Sequence, residues 1–366
     1  MLAVFDMSSV NIERYNSELL KKYSHQYIAY VDDCDLCKPF SDNCMLVSTG
    51  WWKISNFIAH FKQYCVSVII ISGQRPADLR ILLAASALSI PVVYKMHGLY
   101  VPFMKRGAKF YFTKLGKSFR TLFYLLDIWF FTRNLSISYG MFMSFIFGRS
   151  RLSWAGSDQL RVKVGLIWSE YWESWHKQYW GMEPEDGWLI VGNPDTLKFN
   201  QVQVDDGGLV YIYQTLVEDG RIDANQMNRF YDNLKYIAKR FKKVVHVKWH
   251  PRGEKNILSG LESRGFRIHS DLPKSDIYIG HYSTLLGMAP ILGGHVIAVE
   301  LEGHLIPESI RQISYKVVKS VDELGDAIVD YHQYSLPKKS EAIYYFGGDF
   351  DINVEISAVK KLSNNS

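Results

Sequence analysis

The run Val66-Ser-Val-Ile-Ile-Ile-Ser72, the stretch Ala77 to Ser89 with Leu79, Leu82, Leu83 and Leu88, then Pro91 and the run Val92 to Met96 decide the fold. A mostly apolar run with polar residues at its ends suits a strand buried on both faces of a parallel sheet. The leucines recur at helical spacing, and Pro91 cannot continue a helix. Strand, helix and strand make a β-α-β unit, hence a parallel, doubly wound sheet. Tyr27 to Val31 reads as another strand of that sheet. The pattern returns further on. Leu209 to Gln214, Val244 to Trp249, Ile277 to Gly280 and Val296 to Glu300 read as strands, alternating with helical stretches Asn225 to Phe241 and Thr284 to Leu292. The expected architecture is α/β, two doubly wound, Rossmann-like halves facing a central cleft. Residues 1–190 form the first, 191–345 the second and 346–366 a C-terminal tail or helix, with the border near Gly187 to Val204.

The 366 residues are about twice the usual domain length, which agrees with two domains. Apolar residues are 48% and charged residues 22%, a globular composition that excludes disorder for most of the chain. A net charge of +5 is too small to define a nucleic-acid protein. Met1 to Asn11 lacks a signal-peptide pattern, so a cytoplasmic protein is expected. Cys34, Cys37 and Cys44 lie close together, but no second Cys-x2-Cys accompanies them, and reduced thiols rather than zinc are expected. The region 100–154 breaks the alternation. Lys105, Arg106, Lys109, Lys114, Lys117 and Arg120 form a basic run without an acid, followed by the aromatic and apolar stretches Leu122 to Phe131 and Ser136 to Phe147. About 18 uninterrupted apolar residues are needed to span a bilayer, and Asp127 and Arg133 interrupt. The composition fits either an element in a membrane interface or a helix pair packed on the first domain with a solvated basic edge.

Phosphate-loop, G-x-G-x-x-G, G-x-S-x-G and H-E-x-x-H motifs are missing, which removes the usual support for kinase, oxidoreductase, hydrolase and zincin readings. Polar groups remain at three strand ends of the second half, where open parallel sheets bind ligands. Glu218-Asp219-Gly220 offers a carboxylate as general base, or an ordinary loop ahead of a helix capped by Asp219 or Asp223. Lys248-Trp249-His250-Pro251-Arg252-Gly253 puts a titratable imidazole between two cations on a stiff turn. Gly280-His281-Tyr282-Ser283-Thr284 places hydroxyls at a helix start, as a phosphate cradle or as plain N-caps. Together they offer base, acid and phosphate cradle.

These three motifs, in this order, resemble the bacterial GT-B sialyltransferases. The nearest likeness is to the lipooligosaccharide sialyltransferases of glycosyltransferase family 52, over Leu209 to Gly303. Further likeness to surface-polysaccharide transferases lies in His97-Gly98 and in Val191-Gly192-Asn193-Pro194. The resemblance implies a GT-B fold and an inverting, metal-independent transfer of a nonulosonic acid from its CMP donor to a glycan or glycolipid hydroxyl, with no cofactor. Asp219 would be the base and His250 the acid. Lys248, Pro251, Arg252, Gly280, Ser283 and Thr284 would hold the donor, and His97 and Gly98 would line the acceptor side. The family's Pro-Glu is Pro273-Lys274 here, which leaves the ribose to Glu300. The place implied is the inner face of the cytoplasmic membrane, as a peripheral protein compatible with a homodimer. The alternatives are a Kdo, legionaminic or pseudaminic acid transferase, a transferase using another nucleotide donor such as a nucleoside-diphosphate sugar, and a non-catalytic GT-B-like scaffold.

Overall fold

The computed structural model describes residues 1–6, 9–23, 26–32, 43–73, 75–98, 115–137, 139–140, 161–198, 201–204, 208–301, 304–336 and 339–364. Cys34, Cys37, the basic residues from Lys105 to Lys114 and the end of the second aromatic stretch lie outside them. The chain divides into two units, the first of residues 1–98, 114–195 and 348–366, the second of residues 99–113 and 196–347.

In the first unit the chain runs β1 (Leu2–Asp6), α1 (Ser9–Lys22), β2 (Tyr27–Val31), β3 (Cys44–Ser48), α2 (Ile54–Gln63), β4 (Val68–Ile71), α3 (Pro76–Ser86), β5 (Val92–Lys95), α4 (Leu115–Thr132), β6 (Val164–Ile167), α5 (Glu170–Trp180) and β7 (Trp188–Ile190). The seven strands form one parallel sheet in the order β3-β2-β1-β4-β5-β6-β7. The unit that decided the fold is β4-α3-β5. β1, β2, β4 and β5 are buried at every position, as expected of interior strands covered on both faces. The chain winds outward from β1 to β3, then restarts at β4 on the other side of β1, so the winding reverses between β1 and β4.

The second unit carries β8 (Gln201–Val202), β9 (Leu209–Ile212), α6 (Ala224–Arg240), β10 (Val245–Lys248), α7 (Lys255–Ser263), β11 (Arg267–His269), β12 (Leu272–Pro273), β13 (Ile277–Gly280), α8 (Thr284–Ile291), β14 (His295–Val299), α9 (Glu308–Ile313), β15 (Lys316–Val318), α10 (Val321–Asp330) and α11 (Lys339–Phe346). Its main sheet is also parallel, in the order β11-β10-β9-β13-β14-β15, with β8 and β12 pairing apart from it. All four strands and both helices read from the second half of the sequence are present. A Cβ on Gly287 of α8 would land in the Phe346 ring of α11, so glycine is what lets these two helices touch.

The last helix, α12 (Ile352–Asn364), belongs to the first unit. Ala358, Val359 and Leu362 join Leu19, Leu20 and Tyr23 in its core. The returning chain is held by Asn193 N–H on Gly348 O (3.0 Å) and Asp351 N–H on Val191 O (2.8 Å). Between them Gly192 has φ +76°, and a Cβ there would collide with the Asp349 carbonyl. Lys95, at the end of β5, binds Glu355 of α12 at 2.5 Å, both side chains at most 1% exposed. Among the described residues, no helix is long and apolar enough to cross a membrane.

Candidate functional site at the strand ends of the second unit

Because β10, β9, β13 and β14 are neighbours in a parallel sheet, the residues after them emerge side by side at one edge. Glu218-Asp219-Gly220 follows β9, Lys248 to Gly253 ends and follows β10, His281 to Thr284 follows β13, and Glu300 follows β14.

The loops are tied to one another by side chains. Gln214 Oε1 accepts the Tyr282 N–H (3.0 Å), joining the β9 and β13 loops. Trp249 stacks on Tyr213 with centroids 4.3 Å apart at 21°. The Tyr213 hydroxyl donates to Glu218 Oε1 (2.5 Å), which also accepts the Glu254 N–H (3.2 Å). Glu218 is thereby a brace between the β9 and β10 loops. Gly253 closes a turn by donating to the His250 carbonyl (2.9 Å), and its missing side chain leaves room for the Trp249 ring. Gly220 has φ +66°, the conformation its turn needs.

Asp219 sits among cations. Its Oδ2 accepts the Thr215 hydroxyl at 3.2 Å and lies 3.7 Å from Arg252 and 4.0 Å from Arg221. Arg252 also donates to Thr215 (3.3 Å). The Arg221 guanidinium lies 5.9 Å from the centre of the Tyr282 ring, beside Ser283. One carboxylate thus gathers two guanidinium groups from different loops. Arg221 was not singled out from the sequence; its position two residues beyond the acid pair was the available signal.

The backbone N–H of Arg252 points at His250 Nδ1 (3.1 Å), so Nδ1 accepts and the neutral ring carries its proton on Nε2. Lys248 Nζ donates to the Trp249 carbonyl (2.9 Å). Ser283 caps α8 by accepting the Leu285 N–H (3.3 Å), and Gly280 brings β13 close over Leu286. Glu300 is 10% exposed and bound by Arg311 (3.3 Å) and Lys319 (3.2 Å). Burial opposes its ionisation, but the Lys319 hydrogen bond, the Ile306 N–H and the two positive charges outweigh it and hold the carboxyl below its ordinary value. A ribose hydroxyl would share this carboxylate with two cations.

His281 is a structural member of its motif. Its Nδ1–H donates to the Val299 carbonyl (2.9 Å), and Nε2 accepts the Tyr211 hydroxyl (3.2 Å). His176 in the first unit has the same arrangement, with the Trp172 carbonyl at 2.5 Å and the Tyr94 hydroxyl at 2.8 Å. Burial pushes both imidazoles down to about 4. An unfolded chain protonates them near pH 6.5, so their stability is complete above that pH and is lost as the pH falls toward 4. Between pH 7 and pH 5 each unit should lose about 2 kcal/mol from its histidine. Urea unfolding of His281→Gln at the two pH values should show a correspondingly smaller drop for the second unit; an unchanged drop would contradict this assignment.

In the first unit His97 follows β5 and faces the switch between β1 and β4. Its Nδ1–H donates to the Ser72 carbonyl (2.6 Å). Burial pulls the ring below its usual value, against the pull of the nearby Asp6 carboxylate. Asp6 is hydrogen-bonded by Ser72 and by Asn11 (2.9 Å), and Arg75 lies 3.9 Å away. Gly98 follows directly. Asp6 was not among the site residues read from the sequence.

No protein-family model matches the chain, and no curated protein does. Solved structures do. The chain is similar to MnaA of S. aureus in a co-structure with UDP, at TM-score 0.55 and 11% identity, over 99% of this chain and 96% of that one. It is similar to the UDP-GlcNAc 2-epimerase of Neisseria meningitidis bound to UDP-GlcNAc, at TM-score 0.51 and 10% identity, over 98% and 99%. It is similar to MurG of Acinetobacter baumannii at TM-score 0.50 and 10% identity, over 98% and 99%. The fold is therefore the α/β, two-domain GT-B fold.

These neighbours overturn the resemblance to the family 52 sialyltransferases. The structures that match along the whole chain include one holding UDP and one holding UDP-GlcNAc, so a CMP-nonulosonic acid donor and sialyl transfer are withdrawn. The assignment to lipooligosaccharide or capsule falls with them. The physical reason lies in the motifs. Acid-acid-Gly answers a turn, His-Pro a stiff strand end and Ser-Thr a helix cap, needs that any parallel nucleotide-binding unit has.

Proposed function

We propose that the chain is a sugar-nucleotide enzyme that binds a UDP-linked sugar at the strand ends of the second unit and breaks the bond between the anomeric carbon and the β-phosphate. The observation that carries this reading is the convergence of Arg221 and Arg252 on Asp219, with Lys248 and His250 on the same turn and the N-terminus of α8 beside Tyr282. That much positive charge suits a diphosphate better than a single phosphodiester. The UDP and UDP-GlcNAc held by proteins of the same fold support uridine as the base.

When the bond breaks, its electron pair stays with UDP and negative charge grows on the β-phosphate, while an acceptor hydroxyl bonds to the anomeric carbon and gives up its proton to solvent. The guanidinium groups face that charge, and His250 offers it a hydrogen bond from Nε2. Asp219 acts by holding the two arginines in place. Ser283 and Thr284 offer hydroxyls and backbone N–H groups to a phosphate. No metal is required of this scheme, since cations of the chain take the charge. The test is nucleotide selectivity: calorimetric titration with UDP, UMP, CDP and CMP in metal-free buffer, with UDP expected to bind tightest. Equal binding of UDP and UMP would remove the diphosphate argument.

A further inference from the structure

The helix α4 has two faces with opposite uses. On the inner face Tyr124, Leu125 and Ile128 are buried. The Tyr124 hydroxyl bridges Asp32 Oδ1 (2.5 Å) and the Gly50 carbonyl (2.7 Å), and the fully buried Arg80 lies 3.5 Å over the Tyr124 ring. Asp127 Oδ2 accepts the Ile54 N–H (2.8 Å). Buried ions of this kind fix one orientation of the helix, since withdrawing any partner strands a charge.

On the outer face Phe119, Leu122, Leu126 and Phe130 are 61%, 45%, 44% and 56% exposed. Their spacing of three, four and four residues lays them along one stripe. Leu135 and Tyr139 just beyond the helix are exposed by 66% and 63%, and Trp51, 63% exposed, sits 5.4 Å from Phe123. Large apolar side chains held outward in a row mark an interaction surface. The sequence around them has one sign of charge. Between Asp78 and Asp158 the single acid is Asp127, which is turned inward to Ile54, while nine lysines and arginines accompany it besides the buried Arg80 and Lys95.

We propose that this face of α4 docks on an anionic lipid bilayer, its apolar stripe entering the boundary between headgroups and acyl chains with the exposed Arg133, 6.0 Å from the Phe130 ring, beside the lipid phosphates. Aromatic and leucine side chains beside lysine and arginine are the chemistry of that boundary. A second copy of the chain fits less well, because a two-fold contact would bring together two copies of a segment whose sequence carries one sign of charge. The surface stands apart from the nucleotide reading, and either can fail alone.

The test uses the full chain and sedimentation with vesicles of phosphatidylcholine, alone or with about a third phosphatidylglycerol. The chain should bind the anionic vesicles at least about tenfold more tightly, and salt should weaken the binding. Leu122→Glu/Leu126→Glu should lower that affinity at least about tenfold, with melting temperature and UDP affinity unchanged, because both residues are exposed. Arg133→Glu should lower it as well, since Arg133 is exposed beside Phe130 of the stripe. Failure of the wild-type chain to sediment with anionic vesicles overturns the proposal, as does equal binding by the double glutamate variant. A dimer in sedimentation equilibrium that the glutamates dissociate would assign the face to a second copy instead and overturn it too.

Discussion

His250→Ala is expected to lower the turnover of a UDP-sugar by about 10²- to 10³-fold, the usual cost of removing one hydrogen-bond donor aimed at developing negative charge. The imidazole is held by Arg252 N–H on Nδ1, so its proton sits on Nε2; in sequence the ring stands between Lys248 and Arg252. Removing the ring takes away a hydrogen-bond donor while leaving the turn, which Pro251 and the Gly253-to-His250 hydrogen bond maintain. Folding should be intact. Arg252→Ala acts differently: loss of a charge-assisted contact of about 1.5–3 kcal/mol should weaken UDP binding roughly 10- to 150-fold. Release of UDP followed by phosphorus NMR reads the first effect and calorimetry the second. Turnover by His250→Ala within threefold of wild type would remove the histidine from the chemistry.

The second large effect is on stability. Lys95→Met should cost the first unit about 3–5 kcal/mol, because it leaves the Glu355 carboxylate buried without its partner. Burial already raises the Glu355 carboxyl above its ordinary value, and Lys95 is what opposes that rise. In Lys95→Met the carboxyl should therefore take up a proton more readily, and the loss should shrink as the pH falls. Lys95→Met/Glu355→Leu should recover most of the lost stability, since replacing a buried ion pair by apolar groups is often neutral. Urea unfolding of the three chains measures this. A loss below about 1 kcal/mol for Lys95→Met, or a double variant no better than the single one, would show that the pair does not hold α12 to the sheet.

The fold was legible where strands are buried on both faces and helices are amphipathic. Val68–Ile71 and Val92–Lys95 announce themselves as apolar runs, and α6 by its spacing. β1 escaped because Asp6 ends it; in a parallel strand the carboxyl end is where a polar residue finds partners, here Ser72 and Asn11. β7 and β15 escaped because three residues carry too little pattern. The place of α12 was hidden because its partners, Leu19, Leu20 and Tyr23, lie at the other end of the chain.

The candidate site was legible as an address and not as a chemistry. Asp219, His250, Ser283 and Thr284 fall on adjacent strand ends, which strand-to-helix alternation alone foretells. The identity of the nucleotide did not follow, because the same letters have local duties. Ser283 accepts the Leu285 N–H, Glu218 braces Tyr213, and His281 is sealed between Tyr211 and Val299. What distinguishes one donor from another is the spatial grouping of charges, such as Arg221 meeting Arg252 on Asp219, and the two arginines come from separate loops.

The most direct test of the central claim is the ratio of dissociation constants for UDP and CMP, measured by calorimetry on the full chain without metal. A second phosphate meeting two guanidinium groups predicts UDP tighter than CMP by at least about tenfold, or 1.4 kcal/mol, with most of the gap lost in Arg252→Ala. CMP binding as tightly as UDP, or UDP failing to bind, would contradict a UDP-sugar enzyme.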